Sequence, residues 1–240
     1  MKEERKAILT PADIAYLIDA STLKLDTSYE DVQSLIEACK KYNFGCAFAW
    51  PAYYELMSKE LKGTKTAFGT SLSFPSGQET TFIKVAQAHY FESLGAAEVD
   101  MVMNVGWLKS KRYDEILEDI KAVRFACKSS SLKVIIEAML LTDEEIAKAC
   151  QLVIVSGADY VKSGTGFSAN PTTIHHVEVM KGVIGNKIKL KVAGGVRDLN
   201  TLLKMYKRGA DRFGIGLAAS IKIMEEAMTH PNGIDLSTIE

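Results

Sequence analysis

The sequence contains no continuous run of about 18 apolar residues, which is the length that a membrane-spanning helix requires. Its first ten residues, MKEERKAILT, lack a long apolar core, so we expect no signal peptide. An excess of either charge is also missing, because 29 Lys and Arg face 30 Asp and Glu and the formal net charge is −1. That balance indicates neither nucleic acid nor a membrane surface as a partner. We therefore expect a cytoplasmic protein.

Cysteine is scarce, and its spacing indicates neither a metal site nor a redox motif. The four cysteines are Cys39, Cys46, Cys127 and Cys150. No two of them form a C-x-x-C pair, and none has a histidine at the spacing of a zinc site. Because a chain of 240 residues can fold without disulfides, we expect reduced thiols.

Short apolar runs alternate with longer amphipathic segments along the whole chain. Eight of these runs have the composition of strands and end near turn residues. They are residues 16–22, 46–50, 66–74, 98–104, 133–139, 159–163, 188–194 and 212–216. No linker or low-complexity tract divides the chain. Eight β/α units predict an α/β protein whose single domain, residues 1–240, is a closed (β/α)8 TIM barrel.

The alternative architecture is an open, doubly wound sheet. That fold usually carries a G-x-G-x-x-G turn after its first strand, and the first predicted strand here has none. We also expect a short helical segment before the first strand and a C-terminal tail from about residue 230.

Capping signals indicate where several helices begin. Ser/Thr-x-x-Glu capping boxes start at Thr27, Ser76 and Thr142, and they predict helices over residues 30–42, 77–95 and 142–157. Asn170-Pro171 is typical of an N-cap followed by a proline at the first helical position. Asp198 can cap a helix over residues 198–208.

In three of the predicted strands, charged residues stand out among apolar ones. Because successive side chains of a strand point to opposite faces, the residues that alternate with the apolar positions should point into the barrel. This alternation directs Asp100 of EVDMVMN inward. It likewise directs Tyr160 and Lys162 of DYVKS, and Lys189 and Lys191 of IKLKVAG. Lys191 lies nearer the carboxyl end of its strand than Lys189. Lys162, Lys191 and Asp100 should therefore meet near the carboxyl ends of the strands, where barrel enzymes have their sites.

Each lysine alone has a simpler interpretation as a solvated residue at a strand end. Two lysines beside one aspartate do not fit a purely structural interpretation, because a structural ion pair needs only one lysine per carboxylate. The excess positive charge lowers the pKa of one amine, and a lysine that is neutral near pH 7 suits Schiff-base chemistry. Glu137 could add a second carboxylate, although apolar residues on both sides of its strand leave its orientation open.

A candidate anion site follows the strand of Lys191. Gly194 and Gly195 end that strand, and Arg197 comes directly after them. Glycine-rich turns at a helix N-terminus expose backbone N–H groups that suit an anion, and barrels commonly bind phosphate after their last two strands. A Gly-Gly turn without a ligand is the alternative.

Four segments carry a resemblance to a known family: EVDMVMNVG, KVIIEAMLLTDEEI, GADYVKSGTGF and LKVAGGVRD. From about residue 14 to residue 228 the sequence resembles the deoxyribose-phosphate aldolases, which are class I aldolases. The resemblance implies reversible cleavage of 2-deoxy-D-ribose 5-phosphate into acetaldehyde and D-glyceraldehyde 3-phosphate. It implies small molecules as partners, no metal or other cofactor, and a homo-oligomer, either a dimer or a tetramer.

The resemblance also implies roles for the converging residues. Lys162 would form the Schiff base, Lys191 would lower the pKa of Lys162, and Asp100 would relay protons with Lys191 and a bound water. The candidate substrate-binding residues are Ser21, Lys24, Thr165, Gly166, Gly194, Gly195, Arg197, Gly214 and Gly216. No two histidines have the i, i+4 spacing of a metal-binding helix, which agrees with the absence of a metal.

Two positions near the expected phosphate site depart from the family pattern. Gly216 and Leu217 stand where many members carry a Ser-Ser pair that binds phosphate. A second hypothesis is therefore an aldolase of the same fold with a different or non-phosphorylated acceptor aldehyde. A third is a sugar-phosphate-binding protein without catalysis, against which the intact lysine pair and aspartate argue.

Overall fold

The structure, a computed structural model, describes residues 5–239; residues 1–4 and 240 of the predicted domain lie outside the described part. Eight parallel strands pair in chain order, and the first also pairs with the last. The barrel strands are β2 (Ile18–Ser21), β3 (Cys46–Phe48), β4 (Ala67–Leu72), β5 (Glu98–Val102), β6 (Ser131–Ile135), β7 (Tyr160–Lys162), β8 (Lys189–Ala193) and β9 (Arg212–Gly216). Two short strands, β1 (Ile8–Leu9) and β10 (Ile234–Asp235), lie outside the barrel. The closed barrel confirms the predicted (β/α)8 fold and excludes the open sheet.

Helices surround the barrel and connect its strands. Within residues 5–239 they are α1 (Pro11–Leu17), α2 (Tyr29–Tyr42), α3 (Tyr54–Glu60), α4 (Thr81–Ser93), α5 (Val105–Lys109), α6 (Tyr113–Ala126), α7 (Asp143–Ser156), α8 (Ile174–Ile184), α9 (Leu199–Lys207) and α10 (Leu217–Met228). The core lies between the two layers, where Val99 and Met101 of β5 point outward and belong to one large apolar cluster. None of the described helices has the length and apolar character needed to cross a bilayer.

Two of the predicted helix starts are confirmed. Thr142 caps α7, and its capping box with Glu145 is complete. Asp198 caps α9 by accepting the backbone N–H of Thr201 at 2.8 Å. At α2 the capping box uses Ser28 and Asp31, which is one residue later than predicted.

The start predicted at Ser76 is wrong. α4 begins after Thr80, four residues later. Residues 73–79 form a separate turn, in which the Gly77 N–H donates to the Ser73 carbonyl at 2.7 Å and the Ser73 hydroxyl donates to the Glu79 carboxylate. Glu79 is therefore occupied in the turn and does not complete a capping box.

The start predicted at residues 170–171 is also wrong. α8 begins after Thr173, whose hydroxyl accepts the backbone N–H of His176 at 3.3 Å. The preceding residues cross the end of β8 instead, where the Thr172 N–H donates to the Gly194 carbonyl at 2.9 Å.

Most strands end earlier than the apolar pattern predicts, and at two of them the backbone conformation gives the reason. Ser73 follows β4 with φ 54°, and Glu137 follows β6 after one residue with φ 51°. Such left-handed conformations are uncommon outside glycine and break an extended run. The predicted strands 66–74 and 133–139 therefore extend too far at their carboxyl ends.

Both described termini lie at the amino-terminal end of the barrel. β1 and β10 pair antiparallel, and the Leu236 N–H donates to the Ala7 carbonyl at 2.8 Å. Lys207, the last residue of α9, donates its Nζ to the Ile239 carbonyl at 2.6 Å. Because α9 leads back to the start of β9, the C-terminal tail lies away from the carboxyl ends of the strands.

Candidate active site

Three side chains meet inside the barrel near the carboxyl ends of its strands. Lys162 ends β7, and Lys191 lies in β8. Their Nζ atoms lie 2.7 and 2.6 Å from the same oxygen, Oδ2 of Asp100 in β5. All three side chains are buried. The inward orientation predicted from the alternation is confirmed, and we call these three residues the amine cluster.

A second group of charges lies deeper in the barrel and was not among the predicted site residues. This inner network consists of Asp19, Glu98, Lys133 and Arg212. Asp19 accepts from Lys133 at 3.1 Å and from Nε of Arg212 at 2.9 Å, while Lys133 also donates to Glu98. The inner network joins the amine cluster through Lys191, whose Nζ lies 2.6 Å from Asp19.

The inner network leaves a signal in the sequence. Glu98 precedes Asp100 by two residues and therefore shares its inward face. Asp19 is the one charged residue of the predicted strand 16–22, and Lys133 and Arg212 each begin a predicted strand. The alternation that identified Asp100 would have identified these residues too, had it been applied to every charged strand position.

The charges of the two groups do not balance. Four basic side chains face three carboxylates, so one positive charge would remain uncompensated if all seven were ionised. A buried, uncompensated charge is unfavourable. Lys162 contacts one carboxylate, whereas Lys133, Lys191 and Arg212 each contact two. Lys162 is therefore the basic group most readily neutralised.

Burial lowers the pKa of Lys162 to about 8, while attraction to Asp100 opposes the shift and repulsion from Lys191 adds to it. Repulsion by Lys191 was predicted from the sequence as the cause, but burial is the larger one. Burial alone would raise the pKa of Asp100, yet the charges of Lys162 and Lys191 outweigh it and hold that pKa below its usual value. At neutral pH the site therefore combines a carboxylate with an amine that loses its proton easily.

A cavity of about 940 Å³ opens above the amine cluster. The predicted site residues that line it are Ser21, Lys24, Lys162, Thr165, Gly166, Lys191, Gly194, Gly195, Arg197, Gly214 and Gly216. Asp100, the one predicted site residue that does not line the cavity, is fully buried beneath the two lysines. The volume is typical of a small-ligand site.

Two glycine-containing loops form one wall of the cavity. Gly166 and Gly194 both have φ 86°, and a Cβ on Gly194 would lie 3.4 Å from the Cα of Gly166. Glycine at these positions lets the two backbones approach. The Glu137 carboxylate accepts the Thr165 N–H at 3.2 Å, so it supports this loop and does not join the amine cluster.

Basic side chains and backbone amides gather at the rim of the cavity. Lys24 and Arg197 line it, together with Lys222, which the sequence signals did not identify. α10 begins directly after Gly216, its N-cap residue, which has no side chain to cap the helix. Its first backbone N–H groups are therefore available to an anion, whose binding the helix dipole also favours.

Three aromatic rings pack edge to face beside the mouth of the cavity. The ring centroids of Trp50, Phe74 and Phe167 lie 5.8, 6.1 and 5.4 Å apart in the three pairs. Trp50 donates Nε1–H to the Lys24 carbonyl at 2.7 Å and so fixes the loop that carries Lys24. Phe167 also lines the cavity and makes that side apolar.

Metal ligands are not grouped in the described part of the chain. Among residues 5–239, no three His, Cys, Asp or Glu side chains are placed so that they could hold a metal ion. The carboxylates in the barrel interior contact Lys and Arg instead. The chemistry that these residues can supply is that of an amine, a carboxylate and an ammonium.

The fold and the site together define a class of protein: a (β/α)8 barrel with a buried lysine of lowered pKa at the base of a ligand-sized cavity. The family model of the DeoC/LacD family aldolases matches residues 8–225. The chain therefore belongs to the DeoC/LacD family of aldolases.

Individual relatives agree with this membership. The deoxyribose-phosphate aldolase of Clostridium tetani is 42% identical over 216 residues, which cover 90% of this chain and 99% of that protein. The enzyme of the same name from Carboxydothermus hydrogenoformans is 39% identical over 218 residues, covering 89% and 96%. The crystal structure of a putative deoxyribose-phosphate aldolase from Coccidioides immitis superimposes with a TM-score of 0.88 at 35% identity, over 92% of this chain and 88% of that one.

Proposed function

We propose that the protein is a deoxyribose-phosphate aldolase that reversibly cleaves 2-deoxy-D-ribose 5-phosphate into acetaldehyde and D-glyceraldehyde 3-phosphate. The observation that carries the proposal is the buried amine of Lys162, with its pKa lowered to about 8, at the base of a cavity of about 940 Å³. Curated relatives with that name match nearly the whole chain.

Lys162 is the proposed nucleophile. Its neutral amine attacks the aldehyde carbon C1 of the open-chain sugar, and loss of water from the carbinolamine gives an iminium. When the C3 hydroxyl loses its proton, the C2–C3 bond breaks and the iminium takes up the electron pair as an enamine. Glyceraldehyde 3-phosphate leaves, the enamine is protonated at C2, and water then releases acetaldehyde and the free amine.

Asp100 is the proposed proton carrier. Both lysines contact its Oδ2, whereas its Oδ1 is buried and has no hydrogen-bond partner among residues 5–239. That oxygen can exchange a proton with the substrate through a bound water. The lowered pKa of Asp100 keeps the carboxylate in its basic form at neutral pH.

Lys191 is the proposed electrostatic partner of Lys162. Its contacts with Asp19 and Asp100, both at 2.6 Å, hold a positive charge beside the reactive amine. This charge favours the neutral form of Lys162 before attack. Together with Asp100, Lys191 can also return a proton during the carbinolamine and enamine steps.

The phosphate is proposed to bind at the rim, between Arg197, Lys24 and the N-terminus of α10. Backbone N–H groups at residues 194–195 and 216–217 supply donors there, although the residues at 216 and 217 carry no hydroxyl. Leu217 and Ile221 also line this region, and they favour a second candidate function, an aldolase with a less polar acceptor aldehyde. The ratio of kcat/KM for 2-deoxyribose 5-phosphate to that for 2-deoxyribose decides between them.

Trapping with acetaldehyde and borohydride tests the proposed chemistry. Reduction of the iminium should leave an ethyl group on Lys162, which peptide mass spectrometry locates. Lys189, an exposed lysine in the same barrel, is the internal control and should be labelled far more slowly. An active protein that gains no adduct at Lys162 would contradict the Schiff-base mechanism.

Assembly and location remain predictions that follow from the family resemblance. We propose a homo-oligomer, a dimer or a tetramer, in the cytoplasm, with small molecules as its reaction partners. Light scattering on the purified protein measures the assembly directly.

A further inference from the structure

Phe48, the last residue of β3, has no part in the chemistry described so far, yet its ring covers the amine cluster. The ring centroid lies 4.1 Å from Nζ of Lys191, and only 3% of the residue is exposed. The negative face of an aromatic ring attracts an ammonium at this distance, and the attraction is stronger where water is excluded. The contact therefore lies where it can affect the position of a charge.

The ring completes an enclosure around the Lys191 ammonium. Oδ2 of Asp19 and Oδ2 of Asp100 each lie 2.6 Å from Nζ, on strands β2 and β5. With Phe48 on β3, three strands fix one ammonium group. We propose that Phe48 is a positioning residue that holds the Lys191 ammonium between these two carboxylates and keeps its charge beside Lys162. The inference rests on the proposed role of Lys162 as the nucleophile.

The neighbouring strand β4 leaves space for the ring of Phe48 because it has a glycine beside it. Gly69 of β4 faces the interior beside Phe48, and a Cβ placed on Gly69 would lie 2.4 Å from Cζ and 2.7 Å from Cε1 of that ring. A side chain at residue 69 would therefore displace the ring from its place over Lys191. Glycine at residue 69 therefore makes the contact between the ring and the ammonium possible.

The position of the Lys191 charge matters because it repels a proton on Lys162. Repulsion from Lys191 contributes to the lowered pKa of Lys162, second to burial among the lowering causes. If the ring no longer attracts the ammonium, the charge can move toward the cavity and the repulsion weakens. The pKa of Lys162 then rises, and a smaller fraction of the amine is neutral at pH 7.

Other ionisable groups surround the two lysines and must stay unchanged in a test of this inference. They are Asp19 on β2, Cys46 on β3, Glu98 and Asp100 on β5, Lys133 on β6, Tyr160 on β7 and Arg212 on β9. A test that alters only the electron density of the ring leaves all of them in place.

Fluorinated phenylalanines provide such a test, because successive fluorine atoms weaken the negative ring face and add little volume. Phe48 is replaced with mono-, di- and trifluorophenylalanine, and the acid limb of the pH profile of kcat/KM is measured. We expect its apparent pKa to rise with each fluorine. A rise of half a pKa unit lowers the neutral amine, and hence kcat/KM at pH 7, about threefold. The loss should disappear above pH 9.

Phe213 is the matched control. It is a fully buried phenylalanine of the same barrel, in β9, and it belongs to the apolar cluster. The same fluorine series at Phe213 should leave the acid limb unchanged. An acid limb that stays constant across the Phe48 series, or that moves equally in the Phe213 series, overturns the proposed role of Phe48.

Acetaldehyde trapping on the unsubstituted protein separates the two proposals. If Lys162 is labelled but the acid limb does not move across the Phe48 series, the Schiff-base mechanism is supported and the positioning role of Phe48 is contradicted. If Lys162 is not labelled in active protein, the Schiff-base mechanism itself is contradicted, whatever the Phe48 series shows. A conventional variant, Phe48→Leu, should show the same rise in apparent pKa as the trifluoro substitution or a larger one.

Discussion

The amine cluster and the inner network lie in one barrel interior, yet the pKa of Lys162 is lowered and that of Lys133 is raised. Burial opposes the ionisation of Lys133, but attraction to Asp19 and Glu98 outweighs it and holds the pKa of Lys133 above its usual value. Lys162 has a single carboxylate, Asp100, which it shares with Lys191, so burial dominates and its pKa falls to about 8.

The difference shows what separates a buried lysine of lowered pKa from one of raised pKa. Both lysines are buried to a similar degree, so burial alone cannot explain the contrast. The number of carboxylates available to each amine decides it, because nearby opposite charges favour the ionised form. Outside the barrel interior, the buried Lys84 has a carboxylate that it shares with no other lysine: it contacts Asp119 at 2.6 Å between α4 and α6.

The largest expected effect comes from removing the reactive amine. Lys162→Met should lower kcat by a factor on the order of 10⁴ or more, because the covalent route is lost. Steady-state assays of sugar-phosphate cleavage measure it, with circular dichroism to show that the variant is folded. Lys133→Met, if it remains folded, should keep far more activity. Equal losses in the two variants would contradict the distinction between the amine cluster and the inner network.

Two substitutions within the amine cluster should move the acid limb of the kcat/KM profile in opposite directions. Asp100→Asn removes the charge that raises the pKa of Lys162, so the limb should move to lower pH. It should also lower kcat by about 10²- to 10³-fold, because the proton carrier is lost.

Lys191→Met removes the repulsion on Lys162 and leaves three carboxylates facing three basic groups. The acid limb should therefore move to higher pH, toward the ordinary range of lysine. Shifts of the same sign in the Asp100 and Lys191 variants would show that charge balance does not govern Lys162.

Removing a charge from the inner network should affect stability more than chemistry. Lys133→Met leaves Asp19 and Glu98 with fewer partners and should cost about 3–5 kcal/mol of unfolding free energy, as breaking a buried ion pair usually does. Urea denaturation measures this cost. Lys84→Met is the control, since it breaks a buried pair outside the barrel interior. Lys84→Met should leave the acid limb close to that of the parent. Lys133→Met should move the limb to higher pH by less than Lys191→Met does, because Lys133 does not contact Asp100, the carboxylate of Lys162.

The smallest expected effect concerns the cysteines. Burial raises the pKa of Cys39, Cys127 and Cys150 to about 12, and the pKa of Cys46 lies well above its usual value. Thiol reagents at neutral pH should therefore leave the native protein active and unlabelled. Mass spectrometry should find the four thiols modified only after unfolding. Rapid loss of activity with one label incorporated would contradict this prediction.

The fold was largely predictable because its signals are local. Eight apolar runs separated by amphipathic segments suffice for the barrel, and the capping box at Thr142 places the start of α7. The wrong helix starts at residues 76 and 170 have different causes. Glu79 accepts from Ser73 within the same turn, which is a local alternative to the capping box. The backbone after Pro171 bonds to Gly194 at the end of β8, and that contact is tertiary.

The site was predictable where alternation alone determines which side chains converge. Asp100, Lys162 and Lys191 follow from the two-residue period of their strands. Two features needed the structure. The dominance of burial over repulsion at Lys162 depends on the packing around it, and the place of Phe48 over Lys191 depends on the space left by Gly69 in another strand.

Direct titration of Lys162 tests the central claim, which is that charge imbalance leaves this amine close to neutrality. Lysine labelled with ¹³C at Cε reports protonation through its chemical shift, and the Lys162→Met variant assigns the resonance. The structure predicts a midpoint near pH 8 for Lys162. A midpoint near 10.4, the ordinary value for lysine, would contradict the account.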